Sequence, residues 1–262
     1  PNTIVEIGES AFENCTALST LRFAPGSRLT TIGKQAFSQC SSITSLTIPD
    51  SVQSIGNGAF YVGNLKYLTV SGELDTTGWL STGYSDSYQL EKLTLTGQYV
   101  RGGRQNEYDD WRSIPGRNAK KVVLSEGITE IGDYAFSGCR AIEQVAFPTS
   151  LNAIGECAFG GCRSIEQLDF PENLQTIGKR AFADCNNLTN INLPSGIETL
   201  GEGCFQFCGN LQVLDMSKVP DTFIEKETRL TGMVTFPTWL VRATNGKTEM
   251  DWTLTKDDSG IQ

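Results

Sequence analysis

Histidine is missing from all 262 residues, which removes the commonest general base and metal ligand. A Ser-His-Asp or Cys-His catalytic arrangement cannot be assembled from this chain. Paired Cys-x-x-Cys spacings are missing as well, so the eight cysteines do not read as a zinc site. No apolar run approaches the ~20 residues of a membrane span, so no membrane insertion is expected. Basic residues are in the minority, with 21 Lys and Arg against 30 Asp and Glu. A net charge of −9 argues against a nucleic-acid backbone or an anionic membrane as partner. These absences point away from catalysis: no enzyme activity, no cofactor and no metal are expected.

What is present is repetition. The frame Ile-Gly-x-x-Ala-Phe-x-x-Cys occurs at Ile7–Cys15, Ile32–Cys40, Ile131–Cys139, Ile154–Cys162 and Ile177–Cys185. Leu200–Cys208 is a further copy with Cys204 in place of Ala, and Ile55–Gly63 carries glycine in place of the final cysteine. The frame phenylalanines are Phe12, Phe37, Phe60, Phe136, Phe159, Phe182 and Phe205, spaced by 25, 23, 76, 23, 23 and 23 residues. A stretch such as GECAFGGC (Gly155–Cys162) is therefore one turn of an array and not a redox pair or a phosphate loop.

Each unit has a second half, an apolar triad of the form L-x-x-L-x-L. Examples are Ile43-x-x-Leu46-x-Ile48, Ile165-x-x-Leu168-x-Phe170 and Leu188-x-x-Ile191-x-Leu193. Triads at Leu65–Val70, Leu90–Leu95 and Ala119–Leu124 carry the period across the 76-residue gap, giving nine in all. A unit of this length built on that triad reads as a leucine-rich repeat. One coil cannot bury its own apolar stripe, but stacked coils share a continuous core. The expected fold is α/β: a right-handed solenoid of about nine coils, with a curved parallel sheet and short helical turns opposite. The cysteine column reads as small, reduced core filler, a demand for size and not for sulfur.

The repeat resembles the BspA-like leucine-rich repeats, whose unit is close to L-x-x-L-x-I-P-x-x-[LIV]-x-x-I-G-x-x-A-F-x-x-C, over Ile4 to Met216. The resemblance implies a surface-exposed or secreted protein, typically of mouth and gut anaerobes or parasitic protists, with a role in adhesion. Because PNTIVEIG opens in mid-repeat, a fragment or processed chain with its export signal upstream is expected.

Two regions break the period. Residues 1–216 read as the solenoid, with irregular coils at 71–118. Residues 217–262 read as a C-terminal capping hairpin around Asn245-Gly246, or as the start of a truncated domain. The irregular coils hold Trp79, Tyr84, Tyr88, Tyr99, Tyr108 and Trp111, six of the eleven Trp and Tyr residues, together with Arg104 and Arg112. Insertions in solenoids map to loops on one face, and aromatic and Arg residues dominate binding hot spots. These eight residues form the candidate partner-binding patch, beside the polar outward positions of the strands. The expected function is a non-catalytic binding or adhesion module, monomeric and extracellular or at a bacterial cell surface. Its expected partner is a host or microbial surface protein, or a glycan. The alternatives are a carbohydrate-active enzyme using acids such as Glu107, Asp109 and Asp110, or an architectural spacer.

Overall fold

A computed structural model describes residues 3–74, 90–102, 118–219, 256–257 and 260–261. Its repeating element is a short strand formed by the last two triad positions. These strands are Ser45–Thr47, Tyr67–Ser71, Lys92–Thr96, Lys121–Leu124 and Gln144–Ala146, then Gln167–Asp169, Asn190–Asn192 and Val213–Asp215. Pairing is parallel and in register, for example Leu68 with Leu93 and Leu93 with Val122. Leu46, Leu68, Leu93, Val122, Leu168, Ile191 and Leu214 point into the core, and their neighbours point out. Proline follows several strands and opens a turn, its carbonyl accepting from the residue three on, as in Leu174 N–H to Pro171 O at 3.0 Å.

A second parallel ladder is built from the apolar residue before each frame glycine. It runs through Glu6–Ile7, Thr31–Ile32 and Ser54–Ile55, and again through Tyr99–Val100, Glu130–Ile131, Ala153–Ile154, Thr176–Ile177 and Thr199–Leu200. Ile32, Ile131, Ile154 and Ile177 are fully buried. The glycine that follows is required by close approach between coils: a Cβ on Gly33 would lie 2.6 Å from the Glu9 nitrogen.

The solenoid has about eight turns and, among the described residues, no α-helix. The expectation of short helical turns, and with it the α/β class, is corrected here. The physical reason lies in where the backbone N–H groups go. In the turn around Phe159, the N–H groups of Cys157, Phe159 and Gly161 donate to the carbonyls of Lys179, Ala181 and Ala183 in the next coil, at 2.7–2.8 Å. The intervening N–H groups of Ala158, Gly160 and Cys162 reach back three residues, at 3.0–3.4 Å. A helix needs every N–H directed along its own axis. Here alternate donors are turned toward the neighbour, which demands left-handed backbone at two positions per turn. Cys157 and Gly161 (φ 50° and 75°), Arg180 and Asp184 (52° and 59°), and Ser10 and Asn14 (53° and 59°) supply it. Of the nine triads, Leu18–Leu21–Phe23 carries no strand.

Inside the turns the frame phenylalanines form stacks. Centroids are 5.1 Å apart for Phe12–Phe37, 5.2 Å for Phe37–Phe60, 4.9 Å for Phe136–Phe159 and 5.2 Å for Phe159–Phe182. The near-parallel rings gain stacking energy beyond their burial.

The cysteines do more than fill space. Cys40, Cys162, Cys185 and Cys208 each donate the thiol proton to the carbonyl of the preceding coil's frame phenylalanine, at 3.1–3.3 Å. The carbonyls of Phe12, Phe136 and Phe159 already accept the N–H of their own coil's cysteine, as in Cys162 N–H to Phe159 O at 3.1 Å. There the thiol occupies the second lone pair. At the copy with glycine, Gly63 has φ +71° and Val62 is buried instead, so backbone conformation and not small size explains that glycine. Among the described residues no disulfide is formed.

One junction differs. The triad ladder is interrupted between Gln144–Ala146 and Gln167–Asp169, whereas the second ladder continues past the same coils. The interruption coincides with Phe147 and Phe170, adjacent in the third triad column, half-buried and stacked at 5.7 Å.

Candidate functional site

The triad strands present three outward rows, each with one residue per coil. The row just before the strands runs Lys66, Glu91, Lys120, Glu143. Its charges alternate, and the structure closes them into pairs, Lys66–Glu91 at 3.0 Å and Lys120–Glu143 at 3.7 Å. Tyr67 O–H also donates to Glu91 at 2.5 Å. The Tyr67 hydrogen bond, followed by that from Lys66, holds the Glu91 carboxyl below its ordinary value. The same contact raises the Tyr67 phenol.

The next row is Ser45, Tyr67, Lys92, Lys121, Gln144, then Gln167, Asn190 and Val213, all exposed. Lys92 and Lys121 stand directly opposite each other in the paired strands. Among the described residues neither has a carboxylate within ion-pair distance. Like charges facing each other across a sheet are unfavourable, so the fold tolerates these two at some cost. The third row is Thr47, Thr69, Thr94, Val123, Ala146, Asp169, short side chains that leave a low floor beside the taller row.

Of the eight sequence-predicted partner residues the structure describes Tyr99. It is 45% exposed and lies in the second ladder, opposite Glu130, not on the strand face that carries Tyr67 and Lys92. Trp79, Tyr84, Tyr88, Arg104, Tyr108, Trp111 and Arg112 lie outside the described residues, as does the Asn245-Gly246 hairpin. Sequence reasoning did not single out the Lys92–Lys121 pair, although aligning the triads already places both lysines in one column. Among the described residues no group of His, Cys, Asp and Glu is arranged to hold a metal, and no helix is long and apolar enough to cross a membrane.

The BspA type leucine rich repeat region, in six copies, matches residues 1–100 and 115–227. The chain belongs to this family. Solved structures similar to this BspA-type chain include a leucine-rich repeat protein from Bacteroides ovatus, 23% identical over 90% of this chain and 76% of that one, with a TM-score of 0.46. A leucine rich cell surface protein from Faecalibacterium prausnitzii is 22% identical over 80% of this chain and 76% of that one, TM-score 0.42. The pneumococcal vaccine antigen PcpA is 19% identical over 82% of this chain and 60% of that one, TM-score 0.38. No curated protein matches the BspA-type chain at a significant level.

Proposed function

We propose that this BspA-type chain is a non-catalytic binding module, displayed outside a bacterial cell, that recognises a protein or glycan through the outward rows of its triad strands. The observation that carries this reading is the register of those rows. Side chains free of packing duty are held at fixed strand spacing over the run from Ser45 to Val123. The irregular coils at 71–118, with Trp79, Trp111 and their neighbours, contribute further partner contacts in this reading. The test is to immobilise the monomeric chain and screen matrix proteins, cell-surface proteins and a glycan array, with glycan hydrolysis measured in parallel. A saturable ligand without turnover supports the module. Hydrolysis of a panel glycan replaces it with an enzyme, and no ligand at all favours a spacer.

A further inference from the structure

We infer that the strip centred on Lys92 and Lys121 takes an anionic polysaccharide, lying along the solenoid axis and across the strands. The inference rests on the binding-module reading and names the partner chemistry of that surface.

Charge complementarity is the first ground. In the row before the strands every lysine is neutralised by a glutamate in the neighbouring coil, Lys66 by Glu91 and Lys120 by Glu143. One residue further on, Lys92 and Lys121 stand side by side in register and face no carboxylate among the described residues. On a chain of net charge −9, with glutamates one position away, carboxylates could have faced these lysines as they do their neighbours. Two ammonium groups at adjacent rungs, about 5 Å apart along the axis, match a ligand with repeated negative charge. More distant carboxylates of the protein are screened beyond about 8 Å at physiological salt.

The residues continuing the strip favour a sugar over an acidic peptide. Past Lys121 the row offers Gln144, Gln167 and Asn190, carboxamides that both donate and accept. Hydroxyl-rich chains need that dual capacity. On the other side of Lys92 stands the ring of Tyr67, 45% exposed and fixed by its bond to Glu91, a surface on which a sugar ring can stack. Beside the row, Thr69, Thr94, Val123 and Ala146 form a low floor with two hydroxyls. A peptide partner calls for a desolvated apolar pocket to seat an anchor. Along this strip the large exposed apolar side chains are Tyr67 and Val213, one toward each end.

The experiment measures binding of the full chain to a heparin-derived oligosaccharide and to polygalacturonate, with dextran and polyglutamate as the neutral and peptide arms. It compares the unmodified chain, K92Q/K121Q and the control K34Q. Lys34 lies in a turn and is paired with Glu9 at 3.5 Å. The expected result is binding of at least one anionic glycan, weakened about tenfold in K92Q/K121Q and unchanged in K34Q. The slope of log affinity on log salt should fall by about 2, one for each cation removed. Thermal unfolding of K92Q/K121Q should be unchanged or slightly higher, because a like-charge contact is relieved. Equal affinity of the double variant, binding of polyglutamate as tight as that of the glycans, or no binding of either polyanion overturns the inference. A neutral or protein ligand found in the wider panel, indifferent to K92Q/K121Q, overturns it while leaving the module reading intact. If the whole panel is also silent, both fall together.

Discussion

Phe12 and Phe205 occupy the same column of the same repeat, yet Phe12 is 44% exposed and Phe205 is 1% exposed. The contrast extends to the residues around them. In the first coil Cys15 is exposed, and Ile7, Leu18, Leu21 and Phe23 are half-buried. In the last described coil Cys208, Leu211, Leu214 and Met216 are all buried. The residue types barely differ, so composition cannot be the cause. In a solenoid each coil buries the face of its neighbour, and a residue's share of core depends on what is stacked on either side. The triad at Leu18–Phe23, half-buried, forms no strand, whereas the triad at Leu211–Met216 does.

This comparison can be broken most sharply at the phenylalanines. Phe159, fully buried between Phe136 and Phe182, should lose about 3–5 kcal/mol on change to alanine. Phe12→Ala should lose about 1 kcal/mol, because one ring face already meets solvent. Chemical denaturation of both variants checks this, and equal losses would mean that the first coil is as well packed as the middle of the array.

High pH should act on the buried end next. Burial pushes the Cys204 and Cys208 thiols up from 9.0 to about 12, with backbone hydrogen bonds opposing it. Their folded-state values lie above their unfolded ones, so their contribution to stability is complete below pH 9 and is lost as pH rises toward 12. Unfolding curves between pH 8 and 12 should show that decline. Thiol labelling of the native protein should modify Cys15 first, and denatured protein should titrate eight thiols without reductant.

A smaller effect should separate sulfur from size. Cys185→Ala removes both volume and the donor to Phe159 O, for an expected loss of about 1–2 kcal/mol in a chain that still folds. Cys185→Ser keeps a donor and tests that share of the loss. Cys15→Ala should fall within about 0.5 kcal/mol of the parent. Two or more bridges in a non-reducing digest would overturn the thiol column itself.

The smallest effect belongs to the exposed turns. Glu172 is held at about 2 by Lys218 and by the N–H and hydroxyl of Ser195, one coil on. The value is lowered from 4.5, so its contribution is present above pH 4.5 and fades as pH falls through about 2. Solvent screening limits Glu172→Gln to less than about 1 kcal/mol, visible as a small loss at pH 7 that shrinks toward pH 2.

Much of this architecture was legible in the linear chain. The phenylalanine column, the triads and the apolar residue before each frame glycine recur along the chain, and beyond the first coil the frame phenylalanines are all buried. The helical turns misled for a definable reason. A segment such as Cys157–Cys162 looks helical when only its own residues are considered, and its alternate N–H groups find carbonyls only once the next coil is present. The candidate site was legible in part. Lys92 and Lys121 fall in one column by alignment, but that Lys66 and Lys120 are neutralised beside them depends on side-chain geometry across coils. Tyr99 was grouped with the aromatic loops by position in the chain, whereas pairing with Glu130–Ile131 assigns it to the other ladder.

By itself, then, the sequence determined the repeat, its period, its core columns and its family, because each follows from residue order and from the need of every coil to bury one stripe. The tertiary structure alone decided three matters: which N–H groups turn to the neighbouring coil, which thiols reach a carbonyl, and which lysines are paired with an acid among the described residues. All three depend on distances between residues some 22 to 29 positions apart. Such distances exist only once the coils are stacked in register, and no local propensity encodes them.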